Sequence, residues 1–256
     1  MITSGAVGAF PGSTPEGGKG VPVPEWTVPD RVEDTLRAFY RVERAGAVRL
    51  SDGGGPFGFD VTRALLVDDL VVGFGCDVLV ETGCFLGDTT AYLAARYPDI
   101  PVFSCDVVAE HAAFTRRRLE LGGLANAQVT CTDSPALVSA VCQSYERPLF
   151  YLDAHWEDRW PLEQELAAIT SGVILVDDFD IGHPRFSFDS YAGQRCDKSF
   201  FAALKDGPSR YWTPDPQFSW PLPCLQVGRR SGLGISVIGL EAGFLEHHPA
   251  LVGHEL

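Results

Sequence analysis

Residues 78–90 read Val78-Leu79-Val80-Glu81-Thr82-Gly83-Cys84-Phe85-Leu86-Gly87-Asp88-Thr89-Thr90, and this stretch decides the fold. A short apolar run ends in an acid, two glycines follow four residues apart, and a helical pattern runs over 88–96. A strand, a tight turn and a helix in that order open a crossover unit. The unit repeats downstream. Apolar runs at 102–106, 128–132, 149–153 and 173–177 alternate with helical stretches at 110–121, 135–143 and 161–169. Strand and helix alternating at about 25-residue spacing predict right-handed crossovers and a parallel sheet. The runs carry no polar alternation, which suits strands covered on both faces.

Outward from this series the pattern changes. Residues 1–29 are rich in Gly, Pro, Ser and Thr and read as a flexible arm. Asp30 is placed to cap a helix with apolar positions Val32, Leu36, Phe39 and Tyr40, and a second helix is predicted over 61–72; residues 30–74 form a helical cap and 75–256 the core. After Asp178 the alternation weakens. Residues 179–197 read as an active-site loop, a helix follows near 196–205, then a Pro-rich stretch at 208–223. Runs 224–227 and 234–240 are expected to pair as a hairpin.

Composition bounds the function. The 256 residues carry 34 acidic and 20 basic side chains, a formal charge of −14, which argues against a nucleic-acid or anionic-membrane partner. At 45% hydrophobic residues the chain buries a core and is not a disordered acidic protein. The seven cysteines form no Cys-x-x-Cys and suggest neither a zinc nor a disulfide framework. There is no signal-like start and no run near the ~18 apolar residues of a membrane span, so a cytoplasmic location is expected.

Ligands of open α/β sheets bind at the carboxyl ends of the strands, near the switch in strand order. Gly83 and Gly87 let the backbone turn and approach a ligand. Glu81, ahead of them with Thr82, would repel a pyrophosphate and suits a cation. That points away from a nicotinamide dinucleotide and towards S-adenosylmethionine, whose amine and sulfonium are positive. Asp106, about 20 residues on at the end of the second strand, is placed to accept both ribose hydroxyls or to cap the next helix. Asp133 and Ser134, after the third strand, are placed to bond the adenine amine or to cap the helix opened by Pro135. Glu81, Gly83, Gly87, Asp106 and Asp133, each after its own strand, resemble the motifs of class I S-adenosylmethionine-dependent methyltransferases over residues 75–240. The resemblance implies an α/β Rossmann-like fold of seven mostly parallel strands, the last one antiparallel and contributed by the terminal hairpin. It departs from the commonest form at Cys84-Phe85, which fills the place of a middle glycine.

The fourth and fifth predicted strands end at Asp153 and at Asp177-Asp178. Carboxylates at adjacent tips repel unless a cation sits between them or one stays protonated, and a hard divalent ion such as Mg²⁺ answers that. The spacing resembles that of metal-dependent O-methyltransferases of the catechol and macrocin types, which implies Asp153, Asp177 and Asp178 as ligands, with Asp153 expected also to take part in catalysis and to line the cofactor site. Such an ion lowers the pKa of a bound hydroxyl, whose oxygen then takes the methyl group. His155 is the candidate general base, with His183 as the alternative. Trp156, Trp160, Phe179, Phe186, Phe188 and Tyr191 are expected as an aromatic rim or as packing under the loop. Arg185, Arg195 and Lys198 are candidates for an acidic group on the acceptor.

The expectation is a Mg-dependent O-methyltransferase of a small hydroxylated, sugar-like or natural-product acceptor, as a homodimer. A metal-dependent hydrolase or hydroxylase using the same Asp cluster is the alternative enzyme. A cofactor-binding module without turnover is the non-catalytic one.

Overall fold

A computed structural model of the chain describes residues 29–45, 54–154, 160–204, 207–220 and 231–256. Residues 1–28 of the expected arm 1–29, the run 224–227 of the expected hairpin, His155 and Trp156 lie outside the described residues.

Five parallel strands are β1 (Val78–Thr82), β2 (Val102–Asp106), β3 (Ala127–Cys131), β4 (Pro148–Leu152) and β5 (Gly172–Val176), each within a residue or two of its predicted run. β1, β4 and β5 are buried at every position, as expected of strands covered on both faces. The crossovers are α3 (Asp88–Arg96), α4 (Ala109–Leu121), α5 (Ser134–Cys142) and α6 (Leu162–Ala168). β8 (Arg210–Pro214), β9 (Gly234–Ile238) and β10 (Leu251–Glu255) complete the main sheet. Its order is β10-β8-β9-β5-β4-β1-β2-β3.

The sheet therefore has eight strands, not seven. β9, in the second half of the expected hairpin, pairs antiparallel with β5 from Gly172↔Ile238 to Val176↔Gly234. β8 is antiparallel to β9 and so runs with β5, and β10 closes the edge antiparallel to β8. β8 lies in the stretch read as Pro-rich; only Trp212 and Thr213 of it are buried. β10 is an edge strand with no fully buried residue. Neither shows the apolar run that marks β1 to β5.

The N-terminal helices are α1 (Asp30–Arg41) and α2 (Val61–Phe74). Asp30 is the first helical residue of α1 rather than its cap, and Pro29 precedes it without a side-chain cap bond. Asp60 caps α2 through the backbone N–H groups of Thr62 and Arg63, and Gly75 ends it in the left-handed conformation. α2 is apolar nearly all round. Ala64, Leu66, Val67, Leu70 and Val71 join Phe39, Leu79, Tyr92, Tyr151, Leu175, Trp212 and Ile235 in one core cluster. The expected helix near 196–205 shortens to α7 (Ser199–Ala202), and the loop before it carries a small hairpin, β6 (Ser190–Tyr191) and β7 (Gln194–Arg195). The last helix, α8 (Gly243–Glu246), leads towards β10. Among the described residues no helix is long and apolar enough to cross a membrane.

This order puts the switch in strand order between the parallel neighbours β1 and β4, whose tips carry the Gly83 turn and Asp153.

Candidate active site

The turn after β1 is built by its neighbours. Gly83 and Cys84 both donate backbone N–H bonds to the carbonyl of Cys105 on β2, at 3.0 and 2.8 Å. Gly83 has φ +77°, and a Cβ there would meet the Asp153 carbonyl oxygen at 2.7 Å. Gly87 starts α3 at φ +77°, but the atoms a Cβ would strike belong to Thr115 of α4, at 2.4 Å. The first glycine lets β1 and β4 close together at the switch point; the second lets two helices close. Between them Phe85, at the place of the middle glycine, also adopts the left-handed region, φ +44°. Its N–H donates to Asp106 Oδ2 at 2.9 Å, and its carbonyl accepts from Thr115 Oγ1 at 2.9 Å. These two bonds hold a conformation that costs a non-glycine residue about 1 kcal/mol or more.

A cavity of about 440 Å³ lies over the carboxyl ends of β1 to β5. Of the residues expected to hold a cofactor, Glu81, Gly83, Gly87, Asp106, Asp133, Ser134 and Asp153 line it. Thr82 does not: its hydroxyl accepts from the Asp153 N–H at 3.2 Å and ties β1 to β4.

Each polar group has a distinct state. Glu81 is buried, and its Oε2 accepts from the Thr90 and Ser104 hydroxyls, the latter at 3.0 Å. Burial outweighs those bonds and pushes its carboxyl up to about 7. Among the described residues no basic side chain pairs with it. Asp106 accepts from the Val108 N–H at Oδ1, 2.8 Å, and approaches His111 Nδ1 at 3.4 Å. Asp133 precedes α5 without a side-chain cap bond. The Ser134 hydroxyl is buried and has no hydrogen-bond partner among the described residues. A buried orphan hydroxyl in a cavity wall is a place for a ligand atom. A cation beside Glu81 and polar groups near Asp106 and Ser134 would satisfy what the protein leaves open, and S-adenosylmethionine carries both. The residues present fit that cofactor.

They do not fit the expected metal. Asp153, Asp177 and Asp178 do meet at the tips of β4 and β5, and all three line the cavity. Burial, then the Asp177 and Asp178 charges, hold the Asp153 carboxyl well above the usual carboxylate range. Asp178 sits in the left-handed region at φ +47°. Asp177, however, is committed to other groups. Its Oδ1 accepts from the Arg63 guanidinium, from Ser231 Oγ at 2.8 Å and from the Asp178 N–H at 2.7 Å. Its Oδ2 accepts from the Tyr151 hydroxyl at 2.5 Å. Burial opposes its charge, but Arg63 and these bonds prevail and lower its carboxyl to about 2. A divalent ion there would meet a guanidinium already on its ligand. Among the described residues no group of three His, Cys, Asp or Glu is arranged to hold a metal.

The sequence reading missed Arg63, Tyr151 and Ser231, and also Gly54, Gly55 and Gly58, which line the cavity. Asp88, first residue of α3, holds that N-terminal segment. Its Oδ1 accepts from the Ala45 N–H at 3.0 Å and from Arg118, and its Oδ2 from the Gly55 N–H at 2.7 Å. The one sequence signal for Arg63 is a lone cation on a mostly apolar helix, with no acid one turn further on to pair with it locally before Asp68.

The expected aromatic rim divides. Phe179 is core, packed on Phe201 and Tyr211, because Gly232 and Gly234 let the chain press against it. Trp160 packs on Phe200 and Tyr191. Phe188 lies under Arg195, which pairs with Asp180 at 2.8 Å. Phe186 and Arg185 line a second cavity of about 300 Å³, with Asp215, Phe218 and Trp220. Arg63 and Ser231 also line it, and Ser231 lines both cavities. His183 lines neither; its Nδ1 accepts from the Arg185 N–H at 3.3 Å.

No family model matches the chain, and no curated protein matches it. Solved structures do. A Klebsiella pneumoniae protein assigned as an O-methyltransferase aligns over 84% of this chain and 92% of its own, at TM-score 0.50 and 16% identity. An O-methyltransferase from Bacillus cereus in complex with S-adenosylhomocysteine aligns over 83% and 92%, at TM-score 0.49 and 17% identity. At such identities the likeness is one of fold: the chain has the Rossmann-like α/β fold seen in the Klebsiella protein, with eight strands and an antiparallel edge.

Proposed function

We propose that the protein is an S-adenosylmethionine-dependent methyltransferase that modifies a hydroxyl of a small acceptor. The observation that carries this is the 440 Å³ cavity at the switch point, where a buried unpaired acid, a strand-end aspartate and an orphan serine hydroxyl follow one another along β1, β2 and the start of α5. Glu81 lies where the cofactor's ammonium group belongs. Asp106 accepts the ribose hydroxyls, and Ser134, with Asp133, bonds the adenine edge. When bound, the cofactor supplies an electrophilic methyl group on a positive sulfur; the acceptor oxygen takes the methyl as the carbon–sulfur bond breaks, and S-adenosylhomocysteine remains.

Asp153 lies at the junction of the cofactor cavity and the acidic tips, positioned to hold the acceptor hydroxyl and take its proton. The second cavity, on the other side of the shared wall residue Ser231, is the side from which the acceptor approaches in this reading. The sugar-like or natural-product acceptor class rests on the resemblance of the motifs. Mg²⁺ is given no step, because Asp177 is held by Arg63. The hydrolase or hydroxylase alternative depends on the same three-Asp set and meets the same obstacle.

Titration calorimetry with S-adenosylhomocysteine tests the proposal. One site of micromolar affinity is expected, weakened in Asp106→Ala; absence of binding to the folded protein overturns it.

A further inference from the structure

Arg63 is a fully ionised group placed where a metal centre was expected. It rises from the first turn of α2, is 5% exposed, and has each terminal nitrogen engaged. One contacts Asp177 Oδ1 and the Tyr151 hydroxyl, the latter at 3.0 Å; the other donates to the Ser231 carbonyl at 2.6 Å and lies 3.1 Å from Ser231 Oγ. The network joins α2, β4, β5 and the segment before β9, and it stands between the two cavities. Guanidinium does not deprotonate in proteins, so this charge is permanent. The carboxylate crowding that suggested a divalent ion is already relieved on one of its three members.

We propose that Arg63 is the resident cation of the acidic strand tips. It withdraws Asp177 from metal ligation, ties the tips of β4 and β5 together through Tyr151 and Asp177 so that Asp153 and Asp178 face the cleft, and keeps divalent ions from the cluster. Two properties follow from the geometry. An ion ligated by Asp177 must first displace a buried guanidinium and leave it without its partner, which is strongly unfavourable. Replacing Arg63 by a neutral side chain should therefore turn the site into a metal site. Arg63 acts through Asp177 and is a positioning residue; the inference rests on the methyltransferase reading only in taking the cleft as the place of chemistry.

Binding of Mn²⁺, followed by electron paramagnetic resonance with S-adenosylhomocysteine present and absent, tests the idea on the full chain. The wild type should bind Mn²⁺ no better than about 1 mM, the weak end for oxygen-ligand sites. Arg63→Met should gain one Mn²⁺ site at least about tenfold tighter, and Asp177→Asn in that background should remove it. Arg63→Lys, which keeps the charge, should still exclude the ion. Micromolar Mn²⁺ binding to the wild type that Asp177→Asn abolishes would overturn the proposal, as would a folded Arg63→Met that gains no site. Should Arg63→Met fail to fold, the wild-type measurement decides alone. Calorimetry with S-adenosylhomocysteine on the same samples separates this outcome from failure of the methyltransferase reading.

Discussion

Glu81 ties cofactor affinity to pH in a way that can be measured before any acceptor is known. Its carboxyl is raised from an ordinary 4.5 to about 7, with burial as the chief cause. At 1.36 kcal/mol per pKa unit, the empty cavity penalises the ionised form by about 3 kcal/mol. The sign follows from linkage. Between pH 4.5 and 7 the folded protein holds the proton more tightly than the unfolded chain, so this group's favourable contribution is present below 4.5 and lost as pH rises to about 7. A cofactor ammonium beside Glu81 reverses that by favouring the charged form. With Glu81 about one-tenth ionised at pH 6 and nine-tenths at pH 8, affinity for S-adenosylhomocysteine should rise about tenfold across that interval. Calorimetry in buffers of different ionisation enthalpy should show nearly one proton released on binding at pH 6 and almost none at pH 8. Glu81→Gln should flatten both trends and bind more weakly than the wild type above pH 7. A wild-type affinity constant from pH 6 to 8 with no proton release would refute the reasoning, as would a Gln variant that keeps the slope.

Gly83→Ala sets a Cβ 2.7 Å from the Asp153 carbonyl at φ +77°, so it should lower stability by about 2 kcal/mol in denaturant titration and weaken cofactor binding more than tenfold by calorimetry. Ser134→Ala removes a buried hydroxyl without a protein partner; thermal unfolding of the free protein should not fall, while S-adenosylhomocysteine affinity drops roughly three- to tenfold. Asp177, lowered from 3.8 to about 2, contributes stability that is present above pH 4 and lost as pH falls through 2, worth about 2 kcal/mol. Acid unfolding monitored by circular dichroism should show that dependence, and Asp177→Asn should be less stable at neutral pH with a flatter acid limb.

Much of this architecture is legible in the chain because parallel strands announce themselves. β4 and β5 are apolar at nearly every position and β1 is so up to Glu81, and a strand that ends in an acid or a glycine marks its own ligand-facing tip. Glu81, Gly83, Asp106, Asp133 and Asp153 follow from that rule, and all reach the cavity. β8 and β10 are not legible: one turns only Trp212 and Thr213 inward and ends in proline, and the other is an edge with nothing fully buried. Phe179 looks like a loop aromatic until Gly232 and Gly234, more than 50 residues on, close over it. Arg63 meets Asp177 across 114 residues, and no local pattern reports a partner so remote.

Phe85 shows that the turn at the switch-point crevice does not require the absence of a side chain. Two hydrogen bonds enforce the backbone's handedness, which leaves the benzyl group half exposed, edge-on to His111 in the cavity wall. Because neither bond uses the side chain, the position is open to redesign: the residue can be exchanged while the clamp from Asp106 and Thr115 keeps the turn in place.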